Sequence, residues 1–380
     1  MKDPIVPELM QDGTSPSMIS FAMGTPALSS FPTNAYRTAV DEVLRYQASA
    51  AIGVGATAGL MPLRETIAAR MKLAPQNVLI LSGAQQGLDL IARCLIDAGD
   101  AVIVDEPCFP GAIQALQAAG AVIHGWSVER WDIETLESLI IRYKPKMLYT
   151  NPTLQNPTGH SMSLDKRRDL LALAARYRLP IIEDDIHSNL FLDAAPPPTI
   201  VSLDKEDIVV YLNSFSKCLG PGIRIGWLVS SPFVVRQLSL IKMRANLFTE
   251  GLGQLAMLRL IKNGEFDRHL ERLRLEHRLR ASAAVQTMKQ QFSPRMLSWT
   301  RPKGGLYIWC RLHNRMTTAL VQKHAQIMNV SFAPGHLYFP EGNHDDYFRL
   351  CFAALPAEKI VTGITRLAAA VKRAYEEPAT

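Results

Sequence analysis

The sequence predicts an α/β fold: a mostly parallel sheet with helices on both faces, joined to a smaller α+β domain. Two patterns predict it. From about Leu60 to Leu228, short β-branched runs alternate with helical stretches, as parallel strands and their crossover helices do. After Ser231 the texture changes to long amphipathic stretches, Phe233 to Met243 and Glu265 to Gln290, and then to the strand-like runs "GGLYIWCRL" and "DYFRLCFA". A closing helix is expected from Pro356 to about Ala374. The expected division places residues 32–245 in a large domain and residues 1–31 with 246–380 in a small one.

Each element has a physical reason. "AQQGLDLIARCLID" sets Leu88, Ile91 and Leu95 on one face at helical spacing. "AVIVDEP" after it is short, apolar and β-branched, as a strand buried on both sides must be. Similar runs recur at "KMLYTNP", "PIIEDD", "DIVVYLNS" and "IRIGWLVS", and most end in polar residues: Asp105-Glu106, Thr150-Asn151, Glu183-Asp184-Asp185 and Asn213-Ser214. Ligands of open α/β sheets gather beyond the carboxyl ends of the strands, so these polar ends outline a site before any motif is considered. "AAPPPT", Ala194 to Thr199, reads as a loop.

Composition narrows the classes. With 380 residues, 48% hydrophobic and 20% charged, the chain suits a globular protein with a sizeable core. The formal net charge of +6 is spread along it, and the densest basic run, "RHLERLRLEHRLR", alternates with Leu and Glu as a solvated helix face does. That run lacks zinc-finger spacing and interleaved aromatics, so no nucleic-acid partner is expected. Cys94, Cys108, Cys218, Cys310 and Cys351 form no Cys-x-x-Cys pair, so neither a disulfide framework nor a metal site is expected. No apolar run reaches membrane-spanning length, and the N-terminus lacks the continuous apolar segment of a signal peptide. A cytoplasmic protein with no membrane partner is expected.

Four fragments carry chemistry. In "NSFSKCLGPGIRIGW", Lys217 follows Ser214 and Ser216 and precedes Arg224. A lysine beside hydroxyls and a cation suits an amine that holds an aldehyde cofactor as a Schiff base while its neighbours bind a phosphate; alone, the fragment also fits a surface turn. "SGAQQ" leads into a helix, so the amides of Gly83, Ala84 and Gln85 form an anion cradle, although Ser-Gly also caps helices that bind nothing. Phe109 in "DEPCFPG" suits stacking on a flat heterocycle or a place in the core. Asn156 in "NPTLQNPTGHSMS" sits in a proline-stiffened loop, where a carboxamide can donate to a phenolate oxygen.

Taken together, "SGAQQGLDLIARCL", "QNPTG", "EDD" and "NSFSKCLGPGIRIGW", in this order, resemble fold-type I pyridoxal 5'-phosphate enzymes of aminotransferase class I/II. Within that group the chain is most similar to the aminotransferase-like domain of MocR-type proteins and to aminoadipate-aminotransferase-like enzymes. The resemblance runs from Ile19 to Ala353. It implies amino acid and 2-oxo acid substrates, a homodimer with sites at the subunit interface, and pyridoxal phosphate bound through Lys217. It further implies phosphate contacts from Gly83, Ala84, Gln85, Ser214, Ser216 and Arg224, ring stacking by Phe109, and an Asn156 bond to the phenolic oxygen. Arg349 would clamp the substrate carboxylate, with Asn156 and the Gly24 backbone close by. Asp184 would pair with the pyridine nitrogen, and Glu183 and Asp185 would be structural neighbours.

Two positions depart from the family pattern. His187 stands where many of these enzymes carry a tyrosine that also reaches the phenolic oxygen. An imidazole titrating near neutrality would shift the pH optimum. Val54 stands where a tyrosine usually reaches the partner's phosphate. The His187 pattern also resembles carbon-sulfur β-lyases, so elimination, decarboxylation or oxidation stays open beside transamination. A third reading is a MocR-like effector-binding domain, for which the eighteen residues before Ile19 leave no winged helix-turn-helix.

Overall fold

The computed structural model describes residues 17–342 and 344–377; the parts of the expected small domain at 1–16, 343 and 378–380 lie outside the described residues. The strands in chain order are β1 (Ile19–Ser20), β2 (Val78–Leu81), β3 (Ala101–Glu106), β4 (Val122–Ser127), β5 (Leu148–Thr150), β6 (Ile181–Asp184) and β7 (Val209–Ser214). They continue with β8 (Gly226–Val229), β9 (Leu297–Trp299), β10 (Tyr307–Leu312), β11 (Val330–Ser331), β12 (Ala333–Pro334) and β13 (Tyr347–Cys351).

Side chains alternate across a strand, and in the central strands both sets are apolar, so both faces of the sheet must be covered. Val102, Val104, Tyr149, Ile182 and Val210 share one core with the helix Ala84–Leu95. Their neighbours Ile103, Leu148, Ile181 and Val209 point the other way, into a core with Leu136 and Ile140 of Ile133–Tyr143 and Leu170 and Leu173 of Leu164–Tyr177. The helices therefore take opposite faces, and the α/β expectation holds.

The large sheet has the order β2-β8-β7-β6-β5-β3-β4. β8 runs antiparallel to both its neighbours and the other pairs are parallel, so β2 to β7 all direct their carboxyl ends to one edge. Thr150, Asp184 and Ser214 close three adjacent strands at that edge. β4 does not stand out in the sequence, because it is an outer strand with a part-exposed, mixed pattern, "VIHGWS".

A second, antiparallel sheet has the order β12-β13-β10-β9, and its register sets Arg349 between Trp309 and Ala333. The helices Glu265–Gln291 and Ala357–Glu376 pack against each other beside it and share one apolar core with it. β1 pairs with β11, which carries the segment after it back toward the edge of the large sheet. The helix Gly251–Lys262 packs chiefly on Thr33–Ile52 and also touches Glu265–Gln291.

Candidate active site

Lys217 ends the short turn Phe215–Lys217 that leaves β7, where the chain can no longer continue in the sheet. Its Nζ donates to the Gly24 carbonyl at 2.7 Å. Burial, then the nearby Arg349 charge, brings the amine down to about 8, so a useful fraction is uncharged and nucleophilic near neutral pH.

The acid triplet separates into three different environments. Glu183 points away from the edge, accepts from the amides of Ile200 and Val201 at 2.8 Å each and lies 3.8 Å from Arg167. Asp185 accepts from the Tyr211 hydroxyl at 2.9 Å. Asp184 faces the site: Tyr149 Oη donates to it at 2.8 Å, while burial raises its carboxyl to about 6. A nearby cation would reverse that shift, so the position is poised for a positively charged ring nitrogen.

Asn151 links the acid to the loop after β5. Its side-chain amide donates to the Asp184 carbonyl at 2.5 Å, its Oδ1 accepts from the Asn156 backbone at 2.8 Å, and its own amide donates to buried Asp105 at 2.7 Å. Thr150 and Trp131 also donate to Asp105, at 2.9 and 3.3 Å.

Arg349 is buried, unlike the surface ion-pair arginine that an alternating strand would usually carry. Its Nη1 donates to Asn156 Oδ1 at 3.0 Å and its Nη2 to the Ala22 carbonyl at 2.5 Å, and among the described residues no carboxylate is bonded to it. The guanidinium lies over the rings of Tyr307 and Tyr338, 4.2 and 5.2 Å from their centroids, contacts that suit a desolvated cation. Gly24 is required beside it, because a Cβ there would collide with Tyr307 Oη.

His187 packs edge-on to Tyr307 with ring centroids 5.4 Å apart, and among the described residues neither ring nitrogen has a partner. Burial, with Lys217 and Arg349 adding to it, holds its titration well below the ordinary value. The expected titration near neutrality is therefore not found: the imidazole is neutral at physiological pH and offers one N–H and one lone pair.

At the other end, Gly83 opens the helix Ala84–Leu95 with φ +87°, and a Cβ there would lie 2.7 Å from Arg224 Nη2. The cradle and the guanidinium can meet only because this residue is glycine. Arg224 also donates to the Ser82 carbonyl at 2.9 Å. Ser214 and Ser216 bond through their hydroxyls at 3.0 Å, close to the Ser214 backbone position at the strand end. Phe109 is half-buried, with its ring and the Gln85 side chain both against Gly111. Tyr149, Tyr307 and Tyr338 join the site without a motif to announce them, and Asp105 and Asn151, which the sequence marks only as polar strand ends, acquire their partners here.

The family model for aminotransferase class I and II matches residues 16–367. The chain belongs to that family. It is 34% identical to the 2-aminoadipate transaminase of Thermus thermophilus over 96% of this chain and 93% of that protein. It is 32% identical to aromatic-amino-acid aminotransferase 1 of Thermococcus litoralis over 98% and 92% respectively. It superposes with a TM-score of 0.93 and 33% identity on the crystal structure of a Thermus thermophilus α-aminoadipate aminotransferase complexed with N-(5'-phosphopyridoxyl)-L-leucine, covering 98% of this chain and 96% of that one.

The fold is therefore fold-type I, and the enzyme is a pyridoxal 5'-phosphate-dependent aminotransferase. The residues present fit that cofactor: an amine of lowered basicity, buried ring nitrogens on His187 without partners, and a glycine cradle against an arginine. Among the described residues no helix is long and apolar enough to cross a membrane.

Proposed function

We propose that this aminotransferase moves the amino group of an amino acid to a 2-oxo acid with Lys217 as the amine that binds the cofactor aldehyde and carries the proton at the substrate α-carbon. The observation that supports this reading most is the meeting, at one sheet edge, of Lys217, Asp184 and an arginine with no acid bonded to it among the described residues. Pyridoxal phosphate, when bound, supplies the electron sink that makes the α-proton acidic. Asp184 would hold the ring nitrogen protonated, and Tyr149 would fix the carboxylate's orientation. Gly83, Ala84, Gln85, Ser214, Ser216 and Arg224 would take the phosphate, Phe109 the ring face, and Asn156 and His187 the phenolic oxygen. Arg349, beside Asn156 and the Gly24 backbone, would bind the substrate carboxylate.

We also propose the division into 32–245 and 1–31 with 246–380, supported by the pairing of β1 with β11, with the helix Gly251–Lys262 lying across the boundary. The homodimer that the family resemblance implies is compatible with the exposure of Tyr46, Ile52, Val54 and Leu247, large apolar side chains that a partner subunit could cover. Val54 is 93% exposed, which suits contact with a second subunit but offers no hydroxyl to a phosphate. A cytoplasmic location agrees with five unpaired cysteines.

Lys217→Ala tests the central assignment. The visible absorbance of the bound cofactor is expected to disappear and turnover to fall at least about a thousandfold. A variant that kept both would refute Lys217 as the reacting amine.

A further inference from the structure

The basic run "RHLERLRLEHRLR" lies in the helix Glu265–Gln291 and is solvated on one side only: Arg268 and Arg272 are exposed, while His269, His277 and Arg280 are buried. Donors from this helix meet the backbone that follows His187, Lys217 and Arg349. Beyond His187, Arg274 Nε donates to the Asn189 carbonyl at 2.8 Å, and its guanidinium lies 3.9 Å over the Phe191 ring. Just past Arg349, the Ala353 carbonyl accepts from Arg280 Nη1 at 2.8 Å.

Lys217 is bracketed by two further contacts with the same helix. On one flank the Phe215 ring packs edge-on against Phe266, with centroids 5.2 Å apart. On the other, the Cys218 carbonyl accepts from His269 Nε2 at 2.8 Å. Phe266 and His269 stand three positions apart, so they share a face of the helix. The Cys218 and Leu219 amides both donate to the Phe215 carbonyl, at 3.1 and 2.8 Å, which closes the turn between the two contacts. His269 is buried, and burial lowers its titration, so a neutral imidazole presents an Nε2–H to the carbonyl. Arg272 and Glu276 are the charges that act on it; those that act on the Lys217 amine are Arg349, Asp184 and Arg224, with the Cys351 thiol.

We propose that His269 is a positioning residue for the reacting amine: by holding the Cys218 carbonyl it fixes the turn that aims Lys217 at the Gly24 carbonyl and keeps the amine out of water. The proposal rests on the reading of Lys217 as the amine that binds the cofactor aldehyde. Desolvation is the first cause of the lowered basicity of that amine, so a loosened turn moves its titration from about 8 back toward 10.5.

His269→Gln and His269→Asn test this. The glutamine amide nitrogen lies as many bonds from the backbone as Nε2 and can donate to the Cys218 carbonyl; the asparagine amide stops short of it. Both replace an imidazole by an amide, so a role in folding alone would move the two alike. Cofactor-free protein is mixed with pyridoxal 5'-phosphate across pH, with Lys217→Ala as the blank. The rate at which the visible band appears is followed as the amine condenses with the aldehyde and releases water. A folding defect lowers the amplitude of that band and leaves its pH midpoint in place. The parent is expected to show a midpoint near 8. His269→Asn is expected to raise it by about half a unit or more, and His269→Gln to stay close to the parent. Arg268→Gln, on the exposed side of the run and bonded to Glu265, is expected to match the parent. Equal midpoints for the Asn and Gln variants, whether at the parent value or above it, overturn the positioning role and leave the reading of Lys217 intact. A parent that forms no band beyond the blank overturns that reading, and the proposal with it.

Discussion

At the Arg224 end of the site, polar groups are matched within the chain. Ser214 bonds to Ser216 and to Ile225 O, Arg224 bonds to Ser82 O, and the arginine side chain is exposed. At the Arg349 end the reverse holds: both His187 nitrogens, Tyr338 Oη and Arg349 Nε are buried without a partner among the described residues. A buried polar atom without a partner costs roughly 1–3 kcal/mol, a cost that a bound ligand removes. The first end is thus a surface cradle whose single contacts are worth little each. The second holds its donors out of water in advance, so each should matter more.

The strongest challenge to that comparison is Arg349→Leu. Losing a desolvated charged contact typically costs about 2–5 kcal/mol, so kcat/KM for the amino acid is expected to fall roughly 30-fold to several thousandfold. Cofactor affinity, measured by titrating the apo-enzyme, is expected to stay near that of the parent. If the loss were no larger than that produced at Arg224, the contrast between the ends would collapse.

A smaller effect concerns Asp184 and Asp105 in cofactor-free protein. Burial raises their carboxyls from 3.8 to about 6 and about 7. The folded state therefore binds more protons than the unfolded one above pH 3.8, so stability falls as pH rises through the folded values. Asp184→Asn is expected to flatten the part of that fall between about pH 4 and 6, by an amount on the order of 3 kcal/mol, in denaturant unfolding across pH. An unchanged slope would mean that the carboxylate is not desolvated.

Arg224→Gln is expected to act least. Cofactor dissociation should rise about tenfold, as for one charge-assisted bond at an exposed position, with KM for the amino acid little changed at saturating cofactor. A hundredfold loss would make the cradle less redundant than its geometry suggests.

Much of the site is legible in the sequence. Lys217, Asp184, Asn156 and Arg349 lie in short motifs, and motif resemblance does not require knowing which strands are neighbours. Tyr149 and Asp105 are readable as residues near the polar ends of strands, but their roles depend on contacts spanning 35 residues to Asp184 and 46 to Asn151. Those contacts are fixed by strand order rather than by local pattern. Tyr307 looks like an ordinary strand aromatic in "GGLYIWCRL"; only the approach of Gly24, from the far end of the chain, shows what it faces. His187 stands out by departure from the family, but its neutrality follows from burial, which sequence spacing does not report.

Asn151 has a mechanical consequence for the site. One side chain grips the Asp184 backbone with its nitrogen and the Asn156 backbone with its oxygen. Asp184 and the Asn156 amide that bonds Arg349 are therefore coupled like two arms of a single lever. A displacement of the Asn156 loop would therefore be passed to the Asp184 backbone through a single side chain rather than through the sheet.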